Sequence, residues 1–148
     1  MPTWDPWQAL RDRPWIVFGL ERLPPPVAGV YHRRGTRRVI VVDARLGRVA
    51  RRATLAHELV HDERGGGPGF AGQPDGWAAV VARDERQVDD EVARRLVPLD
   101  ELRRLCRQAD DLEEGLSALD VAAAFDVPEP VARRALDLRA PHLGQNRR

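Results

Sequence analysis

Residues 54–62 read TLAHELVHD, which places His57 and His61 four positions apart with Glu58 directly after the first. On a helix, positions i and i+4 share a face with Cβ atoms about 6 Å apart, so both imidazoles can point at one ion. Glu58 projects to the side, within reach of a water on that ion rather than of the ion itself. Such a water, its pKa lowered towards about 7, is a nucleophile at neutral pH. A glutamate beside it takes the proton and passes it to a leaving amine. With 4 histidines in 148 residues, the pattern arises by chance in about one such chain in a hundred, so its surroundings have to decide.

Those surroundings predict a helix. Val49, Ala53, Ala56 and Val60 recur at spacings of four, three and four, one helical stripe beginning near Arg48. It stops at Gly65-Gly66-Gly67-Pro68, and GGGPGFAGQPDG, ending at Gly76, is expected to be a loop able to serve as a lid. Upstream, WIVFGLERL from Trp15 predicts a first strand, followed by a stiff corner at Pro24-Pro25-Pro26. VAGVYHRR and RRVIVVDARL flank Gly35-Thr36 and predict a β-hairpin with Arg33, Arg34, Arg37 and Arg38 at its tip. That cluster is either a solvated turn that keeps a strand edge from aggregating or a grip for an acidic partner.

A second helix is expected over residues 77–97, ending before Pro98. At about 100° per residue, Trp77, Val81, Val88, Val92 and Leu96 fall within an arc of about 100°, and Glu85 falls inside it. A carboxylate on a buried stripe is costly unless paired or bound to a metal, which ranks Glu85 first as a third ligand. Asp84 and Arg95 also approach the arc, so Asp84 stays open as the ligand, and an ion pair with an arginine stays open for Glu85. Asp89, at the stripe's edge, can accept a hydrogen bond from a ligating imidazole. Further on, Asp100 is expected to cap a helix DELRRLCRQADDL. LSALDVAAAFDVPEPVARRAL predicts two short helices joined at Asp126-Val127-Pro128, and PHLGQNRR a frayed end.

Composition narrows the function classes. The length suits one domain with a real core, and 43% hydrophobic with 32% charged residues is globular. A net charge of +1 gives no bulk reason to expect nucleic acid or a membrane, although all 24 basic residues are arginine. No stretch approaches the roughly 20 apolar residues of a membrane span. The single Cys106 is expected to be a core thiol, and MPTWDPWQALRDRPW lacks a signal-peptide pattern, so a cytoplasmic protein is expected.

LAHELVHDE followed, after a loop, by ERQVDDEVARRLVP resembles the ImmA/IrrE metallopeptidases, in which a helix with HExxH precedes a helix of the type E-x-x-A-[DN]-x-F-A-x-x-L-L-x-P. Anchored on Pro98, the resemblance puts the family's glutamate ligand on Glu85, its Asp/Asn on Asp89 and its small residue on Ala93. It covers about residues 38–100 and continues more loosely into helical tails like those of actinobacterial and phage members. Val88, Glu91 and Arg95 depart from the pattern, where alanine, an aromatic residue and leucine are usual. The resemblance implies an α+β, zincin-like fold: a small antiparallel sheet packed on the HExxH helix and the helices after it. The metallopeptidase domain would span residues 1–100, and residues 101–148 would form a helical extension on the same core. It also implies a zinc endopeptidase with metal ligands His57, His61 and Glu85 and general base Glu58. Its expected substrate is a helix-turn-helix transcriptional repressor. Two histidines and a carboxylate also suit manganese or iron.

Two rival readings stand beside the peptidase. In one, DVAAAFDVPEPVARRALDLR is itself a helix-turn-helix whose Arg133, Arg134 and Arg139 enter a DNA groove, although its Val, Ala, Phe and Leu are better explained as packing. In the other, the site holds a metal while the protein grips a repressor or toxin without cutting it. Tyr31 and His32 lie on a strand bordering the expected cleft, where either could stabilise an oxyanion or be an ordinary strand residue. Trp4, Trp7 and Trp15 are expected to anchor the N-terminus, and His142, in the tail, is not counted as a ligand.

Overall fold

The structure, a computed structural model, describes residues 3–66 and 77–143. Among them are six helices and a three-stranded sheet: α1 (Pro6–Arg11), β1 (Ile16–Glu21), β2 (Gly29–Arg34), β3 (Arg37–Asp43), α2 (Arg48–Glu63), α3 (Trp77–Leu96), α4 (Leu99–Asp111), α5 (Ala118–Phe125) and α6 (Glu129–Leu143). The expected lid falls mostly on residues 67–76, outside the described residues.

The sheet order is β1-β3-β2. The hairpin β2–β3 is antiparallel as expected, turning at Gly35-Thr36 with Gly35 at φ +62°. β1, however, pairs with β3 in parallel, so the sheet is mixed rather than antiparallel. The reason lies in β3, whose Val39-Ile40-Val41-Val42 run is the most continuously apolar of the three, as a central strand requires. Being central, β3 leaves β2 at a free edge.

α2 is buried on two sides, where the sequence stripe showed one. Leu55 and Leu59 pack with Ile16, Ile40 and Val42 against the sheet, while Ala56 and Val60 pack with Val88, Val92, Ala93 and Leu96 of α3. Leu102, Val121, Val127, Ala132 and Ala135 complete this second cluster, so α4, α5 and α6 share one core with α2 and α3. Arg48 and Arg52 on α2 tie it to the end of α5: Arg48 ion-pairs with Asp126, and Arg52 Nη1 donates to the Asp126 carbonyl at 2.9 Å.

Several local expectations change. The helix α1 was not foreseen, although Asp5 caps it and Pro6 occupies its first turn, both standard start signals. Asp100 lies inside the first turn of α4, whose N-cap is Pro98. α6 is a helix of 15 residues that carries Pro141 within it, rather than a short helix with a frayed end at that proline. Trp4 and Trp7 pack on the core, Trp7 edge-on to Phe18 at 5.6 Å, but Trp15 is 54% exposed and anchors nothing. Arg95 breaks the apolar stripe of α3 because it is used: its guanidinium grips both carboxylate oxygens of Glu63 at 3.0 and 2.5 Å and lies over the Trp4 ring. Cys106 packs against the core, and burial pushes its thiol pKa up.

Candidate metal centre

The two-sided burial of α2 leaves one arc of that helix facing a cleft between β2 and α3. His57, Glu58 and His61 lie on this arc, and the cleft, of about 1040 Å³, is lined by them together with Gly29, Tyr31, Val81 and Glu85. α3 supplies Glu85 from across. Its stripe residues Val88, Val92 and Leu96 are buried, and about one turn before Val88 the same side of the helix meets the histidines through Glu85.

Ligand atoms converge. His57 Nε2 lies 3.0 Å from Glu85 Oε2, His61 Nε2 lies 3.0 Å from Glu85 Oε1, and the two Nε2 atoms are 3.1 Å apart. One atom from each residue falls within 4.8 Å of the others, so His57, His61 and Glu85 could hold a metal ion. Proton counting tests the fit. His57 Nδ1 lies 3.0 Å from Asp89 Oδ1, which places that ring's proton on Nδ1 and turns a lone pair of Nε2 inward. With neutral rings, only one remaining proton, on His61, serves three contacts among two nitrogens and a carboxylate. Acceptors then face acceptors, and either a proton on His57 or a metal cation at the focus resolves the conflict, so the residues present fit a metal ion. Separations of 3.0–3.1 Å are also close to the roughly 3.3 Å between ligands of a tetrahedral ion with bonds of about 2.0–2.1 Å.

Arg64 distinguishes the two carboxylates that the helical wheel left open. Its Nη2 donates to Asp84 Oδ1 at 2.9 Å and to Gln87 Oε1 at 2.6 Å, so Asp84 is held by an arginine. Its other oxygen is 4.0 Å from His61 Nδ1, behind the ring rather than at the focus. Glu85 has the two histidines as its partners, with no arginine on it among the described residues. Asp89, besides holding His57, has Arg134 of α6 at 3.8 Å.

Electrostatics separates the two histidines. Burial pulls His57 down, but the Asp89 hydrogen bond and the carboxylates of Glu58, Asp89 and Glu85 outweigh it and leave its pKa raised. His61 is lowered by burial and by the charge of His57, against the pull of Glu85 and Asp84. Glu58 is buried beside them, and among the described residues nothing donates a hydrogen bond to it. Its pKa is pushed up to about 7, first by burial and then by Glu85, with His57 opposing. A carboxylate tuned to neutrality is a proton acceptor and donor at working pH.

Gly29 is a residue that sequence reasoning missed. A Cβ there would lie 2.6 Å from Thr54 Cγ2 and 2.8 Å from Glu58 Oε1, so only glycine lets β2 lie this close to α2. The available signal was a glycine at the start of a valine-rich strand, a mark of close backbone approach. Tyr31, weighed as either an oxyanion donor or an ordinary strand residue, is committed elsewhere: its hydroxyl donates to Asp62 Oδ1 at 2.7 Å. Burial and that carboxylate push its pKa up to about 12. Asp62 also takes Arg38 at 3.4 Å, so this trio fastens β2 and β3 to the end of α2. His32 is exposed and, by strand alternation, points to the sheet face away from α2, meeting the cleft only at its rim. The side chain of His142 lies outside the described residues.

Among the described residues no helix is long and apolar enough to cross a membrane. Compared with protein-family models, with curated proteins and with solved structures, the chain finds no match.

Proposed function

We propose that this chain is a metal-dependent endopeptidase of zincin-like architecture, with His57, His61 and Glu85 as ligands of one zinc ion and Glu58 as general base. The observation that carries the reading is the convergence of three acceptor groups, from two helices, on one point in an open cleft, with the buried Glu58 carboxylate beside it. Zinc suits two imidazoles and a carboxylate that leave an open position, and manganese or iron also accept such a set. A divalent ion held there supplies Lewis acidity to a scissile carbonyl and to water.

The chain's own residues do the rest. Asp89 fixes the His57 tautomer so that Nε2 faces the cleft. Glu58 removes a proton from the attacking water at its carboxylate and delivers it to the departing amine nitrogen. β2, as a free edge strand beside Glu58, offers its main-chain N–H and C=O groups to an extended peptide, which would add to the sheet as a further strand. The resemblance to ImmA/IrrE proteins makes a helix-turn-helix repressor the proposed protein substrate.

The DNA-binding reading has less support: Arg133 pairs with Glu129 and Arg134 with Asp90, both remaining accessible, while Arg139 is buried and donates to the Arg94 carbonyl. The test of the peptidase is Glu58→Gln assayed on an unstructured protein such as casein. The expected result is full metal content and cleavage reduced by about 10²–10⁴-fold; undiminished cleavage by the variant overturns the assignment.

A further inference from the structure

The β2–β3 tip concentrates positive charge. The hairpin register sets Arg33 opposite Arg38 and Arg34 opposite Arg37, two cross-strand pairs of like charge in succession. Such pairs are destabilising. At the tip only Arg38 meets a carboxylate, Asp62, and Arg33 Nε donates to the Gly35 carbonyl at 3.4 Å. Arg34 and Arg37 have no ion pair among the described residues. Four arginines set in two like-charge pairs give the tip a local positive charge that an acidic group from outside would relieve.

Its position says what that charge belongs to. Alternation puts Arg33 on the same side of β2 as Gly29 and Tyr31, and Arg33 and Gly35 line the far end of the cleft whose other end holds Glu58 and Glu85. The cleft thus runs along an edge strand, with the metal ligands at one end and Arg33 at the other. From Gly29, against Glu58, to Arg33 is four residues, or about 13 Å of strand. A peptide laddered on β2 brings a side chain to Arg33 about four residues from the bond beside Glu58.

Resting on the peptidase reading, we propose that Arg33, the tip arginine on the cleft face of β2, is the specificity determinant of this cleft and selects peptides with Asp or Glu about four residues to one side of the cleaved bond. Two measurements test it. The first sequences the products of a randomised peptide mixture cut by the zinc-loaded protein. The second measures fluorescence anisotropy of a fluorescein-labelled peptide bearing glutamates, of its glutamine counterpart, and of a single-stranded DNA oligomer. Expected are acidic enrichment at that distance on one side of the cut and salt-sensitive binding of the glutamate peptide. The variant Arg33→Glu should lose the enrichment and bind the glutamate peptide at least about tenfold more weakly, while Arg34→Glu, on the opposite face, should change neither. Cleavage without acidic enrichment overturns the proposal and leaves the peptidase standing. If nothing is cut, the peptidase reading fails, and glutamate-peptide binding that Arg33→Glu abolishes still supports Arg33 as an acidic-peptide contact. Equal binding of the two peptides, or tighter binding of the DNA, overturns it.

Discussion

The α2–α3 face and the α5–α6 pair are both rich in ionisable side chains, and they treat them in opposite ways. On α5 and α6 most charges find a partner within the fold: Ser117 and Asp120 close a capping box, Asp126 takes Arg48, and Arg133 and Arg134 take Glu129 and Asp90. On α2 and α3, His57, His61 and Glu85 are brought together with too few protons, while both rings are neutral, to satisfy one another, and Glu58 is buried without a donor among the described residues. A pattern of arginines in sequence therefore says little until it is known whether the fold already neutralises them. Acceptors from two helices left converging on one point carry more information, because the fold gains little from that arrangement unless something else binds.

The contrast can be broken by substitution, and the largest effect is expected where β2 meets Glu58. Gly29→Val should force β2 away from α2 and displace the Glu58 carboxylate, lowering kcat/KM by about 10²-fold or more with metal content unchanged; steady-state kinetics with elemental analysis checks both. Asp89→Asn should come next. The amide cannot stabilise the His57 ring as the carboxylate does, and zinc affinity measured by competition with a chelator should fall about 10–100-fold. On the other side of the comparison, Arg134→Ala should change stability by no more than about 1 kcal/mol in urea denaturation, since its pair with Asp90 is partly exposed. The same variant should leave DNA binding as weak as in the wild type; a steep salt-dependent affinity lost in Arg134→Ala would reverse the contrast.

The smallest effect concerns the clasp that holds β2 in place. Tyr31 titrates near 10 when unfolded and near 12 when folded, because its neutral hydroxyl donates to Asp62. Its contribution to stability is complete below pH 10 and is lost as pH rises through about 12. Tyr31→Phe should therefore be less stable than the wild type at neutral pH, and the difference should narrow over that alkaline window in chemical denaturation.

Much of this arrangement was legible in the chain. HELVH on an apolar stripe, a hairpin at Gly35-Thr36 and a carboxylate on the stripe of α3 are local patterns, set by 3.6- and 2-residue periods, and they place four of the site's side chains. What stayed hidden depends on partners distant in sequence. Whether β1 runs parallel or antiparallel is decided by β3 taking the centre, and the choice between Asp84 and Glu85 by where Arg64 reaches. Tyr31 looked available until Asp62 claimed its hydroxyl, and Gly29 looked like ordinary strand punctuation until Glu58 was found against it.

The most direct measurement is metal content by elemental analysis on protein purified without a histidine tag, for wild type and Glu85→Ala side by side. The account predicts about one zinc per wild-type chain and a large loss in the variant. An absence of metal from both, persisting after zinc is added back, would contradict it.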